Sequence, residues 1–536
     1  MALATKDKVI SEDARIRQRI LETAVAILTE QGLIDGLLIQ AAASAGYPIE
    51  RVKVFFRRDE ELILALYARL AADLEARVAE LPDGSIGDRF RAIMLAKLSI
   101  VTPYREALGS LMAAMLDPRS ELGILSAQTE VIRIRVSAVI RSVVLGASEK
   151  PNKNADVLTR NLYGAHLLLM LLWTQDQSDD SSSTRAAIDL ASNLFTMSSM
   201  LAWVPQVKSN IELIDQISAA FVEPTPNPQD NAVASKILQR IFKHRRLQPG
   251  AGSCALHPCD SCFALHLPKV RRFVANRESV HLLLPAFPAK SPNPRKVAGV
   301  LPDMAEEQAL RFLQTLAEEI REFYPPGIRI TICSDGHVFS DLVNVADEDV
   351  TRYGQRISQI IERSNLSALE MFSLEDLYEL PDPQLMRERL CKHYAHSTAR
   401  LRERVENFEG ARALFNGIQR FIFEDRIAVE PERSRTSVRN ECKDVTYQVI
   451  QRSEAWGRLI ADCFPASIRL SIHPQFPHSE KIGILLGDAD DAWLTPWHSV
   501  AVKQNGKFRL MQRHAAEEIG AQFAEDPNGS HYFEVH

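Results

Sequence analysis

Short apolar segments alternate with longer, helix-like segments along the second half of the chain, and this alternation is the strongest constraint on its fold. The apolar segments have the length of buried strands and lie at 280–286, 328–333, 369–372, 468–472 and 482–486. The segments with helical periodicity lie at 304–323, 347–364, 382–409, 410–423 and 439–464. Strands that alternate with helices favour a mainly parallel, doubly wound sheet. We therefore predict an α/β, Rossmann-like domain over residues 232–536.

The first half of the chain carries almost no strand pattern. Its first apolar residues recur at helical spacing, which predicts helices at 13–31, 37–44 and 48–57. Asp59 is expected to cap a long helix that starts at Glu60. Two short helices joined by a turn at Gly46 are typical of a helix-turn-helix. Residues 1–222 are therefore predicted to form an all-α domain in a multidomain chain.

The stretch 223–231, EPTPNPQDN, separates the two halves. Three prolines and several polar residues in this short stretch predict a semi-rigid, non-helical linker. The length of 536 residues also favours more than one hydrophobic core.

Composition limits the classes of function. The net charge of −6 argues against a protein that coats nucleic acid without sequence preference. The longest apolar runs fall short of the roughly 18 residues of a membrane span. The N-terminus is charged rather than signal-like, so we expect a cytoplasmic protein with no membrane partner. Seven cysteines in a chain of this length do not indicate a disulfide framework.

The segments 158–173 and 185–203 are apolar on more than one helical face. A helix that is apolar all round must be buried against another surface. We expect these two helices to form a homodimer interface. The alternative is that they form the core of a monomeric bundle.

Polar and aromatic residues follow the predicted strands, at the place where ligands bind in doubly wound folds. The loop AFPAKSPN presents Lys290 after the first strand, and SDGHVFSD presents Asp335, His337 and Asp341 after the second. The last two strands and the segment after them add further groups: Arg469, His473, Lys481, Trp493, Trp497 and His498. Cations and indoles favour an anionic, partly flat ligand, and carboxylates with imidazoles suit acid–base chemistry.

Cys254, Cys259 and Cys262, with His257 between them, are residues of metal-ligand type. A structural zinc site needs four ligands, often from a second close pair, and the other cysteines form no such pair. We therefore predict no metal site and reduced, structural thiols. Bound zinc is the alternative at this cluster.

The runs RQRILETAVAILTEQG and IQAAASAGYPIERVKVFFRRDEEL resemble the DNA-binding head of TetR-type regulators. The resemblance rests mostly on core and turn positions such as Ile20 and Gly46. It implies a TetR-like helix-turn-helix and dimerisation domain, in which Arg51, Lys53 and Arg57 contact DNA. The sequence departs from that family at Lys53, where such regulators usually carry a phosphate-contacting tyrosine. A DNA-binding head and a head that serves only dimerisation both stay open.

Six blocks in the second half resemble the isocyanide (isonitrile) synthases of the pyoverdine/dityrosine biosynthesis family. They are HLLLPAFPAKSPN, GVLPDMAEEQAL, ITICSDGHVFSDLV, RLSIHPQ, KIGILL and WLTPWH, in family order within residues 235–515. The resemblance implies that the α-amino group of tyrosine or tryptophan becomes an isonitrile, in secondary-metabolite biosynthesis. It also implies ribulose 5-phosphate as the carbon donor and no metal or organic cofactor.

That reaction needs a neutral amine and a proton relay that removes water. The candidate catalytic residues are Lys290, Asp335, His337, Asp341, His473 and His498. The candidate substrate-binding residues are Phe287, Ser291, Arg295, Lys296, Arg439, Arg469, Lys481, Trp493 and Trp497. The sequence leaves the choice between tyrosine and tryptophan open. The alternative function is a TetR-type transcriptional regulator whose C-terminal half is a ligand sensor.

Overall fold

The computed structural model describes residues 2–117, 119–149, 155–200, 227–248, 254, 257–378, 380, 382–491 and 493–535. Side chains are described from Arg15 onward, except those of residues 198–200 and 260. Within these residues, no helix has the length and apolar character needed to cross a membrane.

In the described parts of 2–200, which leave out 118 and 150–154, all regular structure is helical, so the all-α prediction for the first half is confirmed there. The α-helices are Ala2–Gln31, Leu37–Ala45, Ile49–Val52, Asp59–Ala76, Ile86–Val101, Arg105–Ser110, Met112–Leu116, Glu130–Leu145, Ala155–Gln175 and Ser182–Met200. Three 3-10 helices add Arg77–Glu80, Thr102–Tyr104 and Asp179–Ser181. Their apolar faces pack into one core that includes Ile20, Phe56, Phe90 and Trp173.

The helix predicted over 48–57 is much shorter in the structure, where only Ile49–Val52 is helical. Asp59 also acts differently from the prediction. It is the first residue of its own helix, and its carboxylate accepts the backbone N–H groups of Leu37 and Leu38 at 3.1 and 2.8 Å. It therefore caps the second helix, where unpaired N–H groups attract a carboxylate. The TetR-like identity of this half stays a prediction.

The second half contains a five-stranded sheet, with β1 Val280–Pro285, β2 Ile328–Cys333, β3 Leu369–Phe372, β4 Ile468–Ser471 and β5 Lys481–Gly483. The strand order is β3-β2-β1-β4-β5, and every pairing is parallel. The predicted parallel α/β sheet is thus confirmed, and the strands 328–333 and 369–372 have the predicted bounds. Leu282 and Leu284 of β1 are completely buried, as a sheet covered on both faces requires.

Helices surround this sheet. They are Pro228–Phe242, Asp260–Phe263, Leu267–Ala275, Met304–Arg321, Gly336–Phe339, Asp347–Arg363, Pro383–Tyr394, Thr398–Asn407, Glu409–Val429, Arg435–Cys463 and Arg513–Glu518. Three 3-10 helices lie at Ser340–Leu342, Leu374–Asp376 and Pro496–His498. The single helix predicted over 382–409 is therefore two helices, which are separated by Ala395–Ser397 in non-helical conformation.

The predicted linker 223–231 is helical in its last part, because Pro228 begins a helix whose N-cap is the side chain of Asn227. Proline fits the first turn of a helix, where no intrahelical partner exists for its missing N–H. Residues 223–226 lie outside the described residues. The domain boundary placed at this stretch stays a prediction.

Residues 500–534 contain a second sheet of four strands, which the sequence analysis did not predict. Its strands are β6 Val500–Gln504, β7 Lys507–Met511, β8 Gln522–Glu525 and β9 His531–Glu534, in the order β7-β6-β9-β8. Asn505 and Gly506 connect β6 to antiparallel β7 with φ angles of 50° and 75°. Those angles suit asparagine and glycine in a two-residue hairpin turn. The sequence signal for this hairpin was therefore present.

Buried ion pairs join the two halves. Glu75 of the helical half lies 2.8 Å from Arg135 and 2.9 Å from Lys269, which belongs to the helix preceding β1. Burial alone raises the pKa of Glu75, but Arg135 and Lys269 outweigh it and hold that pKa below its usual value. Because buried charges need such partners, the two halves meet through a specific interface.

Candidate active site

A cavity of about 140 Å³ lies at the carboxyl ends of β1, β2 and β4. β1 and β4 are neighbours, but the chain runs outward from β1 through β2 and β3 before it returns to β4. This is the point where the strand order reverses, and doubly wound sheets bind ligands there. Four of the six predicted catalytic residues line the cavity: Lys290, Asp335, His473 and His498.

Asp335 follows β2 and supplies a carboxylate to the cavity. The residue is only 8% exposed, and its Oδ1 atom has no hydrogen-bond partner among the described residues. Burial raises the pKa of Asp335 to about 7. A buried carboxylate that stays unpaired is costly, and a pKa near neutrality suits a group that exchanges protons.

The loops after β1 and β2 touch at Gly336. A Cβ atom on Gly336 would lie 2.2 Å from the carbonyl oxygen of Pro288 and 2.4 Å from Cγ1 of Val350. Ser334 Oγ also donates a hydrogen bond of 3.1 Å to the carbonyl oxygen of Phe287. Phe287 itself has a φ of 57°, in the left-handed region that non-glycine residues rarely occupy. Only glycine at position 336 permits this close approach, which places Asp335 beside the first loop.

Two neutral imidazoles face the same cavity as Asp335. Burial, Lys296 and Lys290 lower the pKa of His498 well below its usual value. Burial, Arg246 and Lys481 lower the pKa of His473 to about 3. The Nδ1 atom of His498 lies 2.9 Å from Thr495 Oγ1, which fixes the orientation of its ring. Both rings are therefore uncharged at neutral pH and can accept or donate a proton.

Aromatic rings form part of the cavity wall. Trp493, Trp497 and Phe421 line it, and Phe421 stacks on His498 with ring centroids 5.1 Å apart. Trp497 packs against Phe287 at 5.4 Å. Trp493 lies over a helix at Gly417, where a Cβ atom would come within 2.4 Å of the indole. The three rings offer flat apolar surface to a ligand.

The ammonium group of Lys290 is occupied by protein acceptors. It lies 2.9 Å from Asp303 and 2.8 Å from Glu306, and it donates to the carbonyl oxygens of Pro496 and Ser499. Burial lowers its pKa, but the two carboxylates outweigh burial and raise it above the usual lysine value. An ammonium has three N–H donors, so Lys290 has none left for a substrate. Its geometry fits a positioning residue that holds the 496–499 segment, in place of the predicted direct chemistry.

Asp425, on helix Glu409–Val429, also lines the cavity and was not predicted. It accepts hydrogen bonds from Ser291 at 3.0 Å and Asn293 at 3.2 Å, and it lies 2.6 Å from the ammonium of Lys296. One carboxylate thus holds Ser291, which lines the cavity, and Lys296, which does not line it and lies 4.7 Å from the ring of Phe421. Arg246, also not predicted, donates to the backbone oxygens of Ile472 and Leu494 and so joins two parts of the wall.

The remaining predicted catalytic residues lie outside the cavity. His337 is buried between Asp347 at 3.2 Å and Glu375 at 3.1 Å. Burial acts to lower the pKa of His337, but these carboxylates outweigh it and raise the pKa. Asp341 pairs with Arg452 at 2.6 Å. Both residues make ion pairs that hold helices together, and neither faces the cavity.

Four predicted cations also lie away from the cavity. Arg295 and Arg439 are both exposed. The Cζ atom of Arg439 lies 5.0 Å from the ring centroid of Phe423. Arg469 and Lys481 line a second cavity of about 220 Å³.

This second cavity adjoins the first one, because His473, Ile418 and Ser453 line both. Residues of the helical half, among them Arg135, complete its wall.

The predicted DNA contacts lie in neither cavity. Lys53 and Arg57 are exposed, and the guanidinium of Arg51 lies 5.8 Å from the ring of Phe55.

Comparisons with known proteins match the second half of the chain. The model of the family described as "Pyoverdine/dityrosine biosynthesis protein" matches residues 270–523. The L-tryptophan isonitrile synthase AmbI2 of Fischerella ambigua is 47% identical over 55% of this chain and 89% of its own length. An L-tyrosine isonitrile synthase of Xenorhabdus nematophila is 42% identical over 52% of this chain and 85% of its own.

A solved structure agrees with these sequence matches. The crystal structure of the PvcA protein from Pseudomonas aeruginosa superposes with a TM-score of 0.54 and 37% sequence identity. It covers 56% of this chain and 99% of that protein's chain. The resemblance of the six sequence blocks is therefore confirmed, and the chain belongs to the pyoverdine/dityrosine biosynthesis family as an enzyme of the isonitrile synthase type.

Proposed function

We propose that the chain converts the α-amino group of an aromatic L-amino acid, tryptophan or tyrosine, into an isonitrile, with ribulose 5-phosphate as the carbon donor. Relatives at 47% and 42% identity are named for tryptophan and for tyrosine. The observation that carries the proposal is the carboxylate of Asp335, whose Oδ1 atom has no hydrogen-bond partner among the described residues, in a cavity shared with His473 and His498.

Asp335 is proposed as the base that takes a proton from the substrate ammonium. The amine must be neutral before it can condense with a ketone, and a carboxylate with a pKa of about 7 is partly ionised at neutral pH. His473 and His498, held neutral, then carry protons as water leaves the condensing carbon. Positioned acid–base groups of this kind contribute about 100-fold to 10,000-fold each.

The aromatic side chain of the amino acid is proposed to lie against Trp493, Trp497 and Phe421. These rings line the cavity on the side of His498 and helix Glu409–Val429. Burial of a flat ring between aromatic groups favours tryptophan and tyrosine over aliphatic amino acids.

The phosphate of the donor is proposed to bind Arg469 in the second cavity. Among the described residues, no carboxylate lies within ion-pair distance of Arg469, although most other cations of that cavity have one. Its guanidinium donates to the backbone oxygen of Gly457, and its Nε atom is buried without a hydrogen-bond partner. An arginine with free donors is well suited to a phosphate. The shared residue His473 would lie between the two substrates.

The test is incubation of the purified protein with L-tryptophan or L-tyrosine plus ribulose 5-phosphate, followed by mass spectrometry of the product. We expect isonitrile from one of the two amino acids, and none when the sugar phosphate is omitted. Arg469→Gln should raise the KM for ribulose 5-phosphate, while Arg439→Gln serves as the exposed control. Failure of both amino acids to react would refute the proposed function.

We also propose that the protein is a homodimer through helices Ala155–Gln175 and Ser182–Met200. Leu168 is 70% exposed, Leu190 61% and Met197 55%, so these helices carry an apolar face toward solvent in the single chain. Residues 201–203 of the predicted interface lie outside the described residues. A variant with Leu168→Asp and Leu190→Asp should be monomeric by light scattering. A monomeric parent protein, or a dimeric variant, would contradict this proposal.

A further inference from the structure

The cysteines before β1 lie close to a histidine from a distant part of the chain. Cys254, Cys259 and His478 place one ligand atom each within 4.8 Å of one another. His478 lies in the loop between β4 and β5, so it is far from the cysteines in sequence. A fourth group, Cys262, lies with its sulfur 3.7 Å from the sulfur of Cys259. None of these four residues lines either cavity described above.

The two sulfur–sulfur distances at Cys259 fit a shared metal ion. The sulfur atoms of Cys254 and Cys259 are 3.5 Å apart, and those of Cys259 and Cys262 are 3.7 Å apart. A disulfide would bring two sulfurs to about 2.05 Å. Zinc bound to thiolates at about 2.3 Å in a tetrahedron places neighbouring sulfurs about 3.8 Å apart. The observed separations are close to that value.

A serine beside the cluster orients its histidine. Zinc in structural sites binds cysteine thiolates and histidine nitrogens. The Nδ1 atom of His478 lies 3.1 Å from Ser261 Oγ, and such a contact orients the ring.

We propose that Cys254, Cys259, Cys262 and His478 bind one zinc ion in a structural, tetrahedral Cys3His site. Four protein ligands leave no open position, so the ion has no part in the chemistry of the isonitrile reaction. It holds the segment before β1 against the loop that joins β4 to β5. That loop includes Ile472 and His473, which line the active-site cavity, so the ion supports the wall of that cavity.

The first test is the metal content of the purified full-length protein, measured by inductively coupled plasma mass spectrometry. We expect about one zinc per chain, as a closed four-ligand site requires, and a large loss of zinc in Cys262→Ser and in His478→Ala. Cys391→Ser is the matched control, because this half-buried cysteine lies outside the cluster. The proposal is overturned if the protein contains no zinc after growth in zinc-supplemented medium, or if both variants keep the zinc content of the parent.

A second test uses the unmutated chain, in case the variants do not fold. The protein is treated with a chelator, with or without added zinc, and its cysteines are then alkylated and mapped by mass spectrometry. Zinc should slow alkylation of Cys254 and Cys259 at least tenfold and leave Cys391 unchanged. Equal alkylation with and without zinc would refute the site. Both tests are independent of isonitrile formation, so the site and the proposed activity can fail separately.

Discussion

The substitution Lys290→Met tests whether this lysine stabilises the fold or contacts the substrate. Its ammonium lies 2.9 Å from Asp303 and 2.8 Å from Glu306, which is completely buried. Methionine fills a similar volume but leaves two carboxylates without their cation. Loss of one partner from a buried ion pair costs about 3–5 kcal/mol. We expect a loss of this size in the free energy of unfolding, measured by urea titration.

A second substitution separates charge from packing. The double variant Lys290→Met, Glu306→Gln removes one of the unpaired charges and should recover part of the lost stability. In the folded state, Lys290→Met should keep substantial activity. If it is as stable as the parent protein but inactive, Lys290 contacts the substrate and our reasoning is wrong.

Two further predictions concern the interface and the aromatic wall. Glu22 of the helical half accepts a hydrogen bond of 3.1 Å from Tyr378 of the second half. Burial raises the pKa of Glu22 to about 7, so the folded state holds this proton more tightly than the unfolded chain does. The free energy of unfolding should therefore fall by up to about 3 kcal/mol as pH rises from 4.5 to 7. Glu22→Gln should remove this fall, which urea titrations at several pH values would measure, and an unchanged pH dependence would refute the assignment. Gly417→Ala should displace Trp493, whose ring lies 2.4 Å from the added Cβ, and raise the amino-acid KM about tenfold. Gly354→Ala, where the added Cβ meets open space, is the control, and equal KM values would contradict the role of Trp493.

The parallel sheet could be predicted because its strands are continuous apolar runs between longer helices. Ile328–Cys333 and Leu369–Phe372 have the bounds that their sequences predict. The position of the cavity followed from the same pattern, since ligands bind at the carboxyl ends of such strands. Asp335, His473 and His498 could therefore be placed together before any contact was known.

The direction of individual side chains could not be predicted from the sequence. Asp335 faces the cavity, yet His337 turns away, because a short helix begins at Gly336 and successive helical residues differ by about 100°. The carboxylate partners of Lys290 lie at the start of helix Met304–Arg321, well after it in sequence, so its ion pairs give no local signal. Asp425 and Arg246 likewise belong to helical or irregular segments without a motif.

The two aspartates of the SDGHVFSD segment provide the most direct test of the central claim. Asp335 is buried in the cavity, whereas Asp341 is paired with Arg452 at the surface. We predict that Asp335→Asn lowers kcat/KM for isonitrile formation by at least about 100-fold, the usual contribution of a positioned base. The kcat/KM of Asp341→Asn should stay within a few-fold of the parent value. In the parent enzyme, kcat/KM should rise as pH increases through about 7, because Asp335 ionises there. Equal losses in the two variants, or full activity in Asp335→Asn, would contradict the proposed active site.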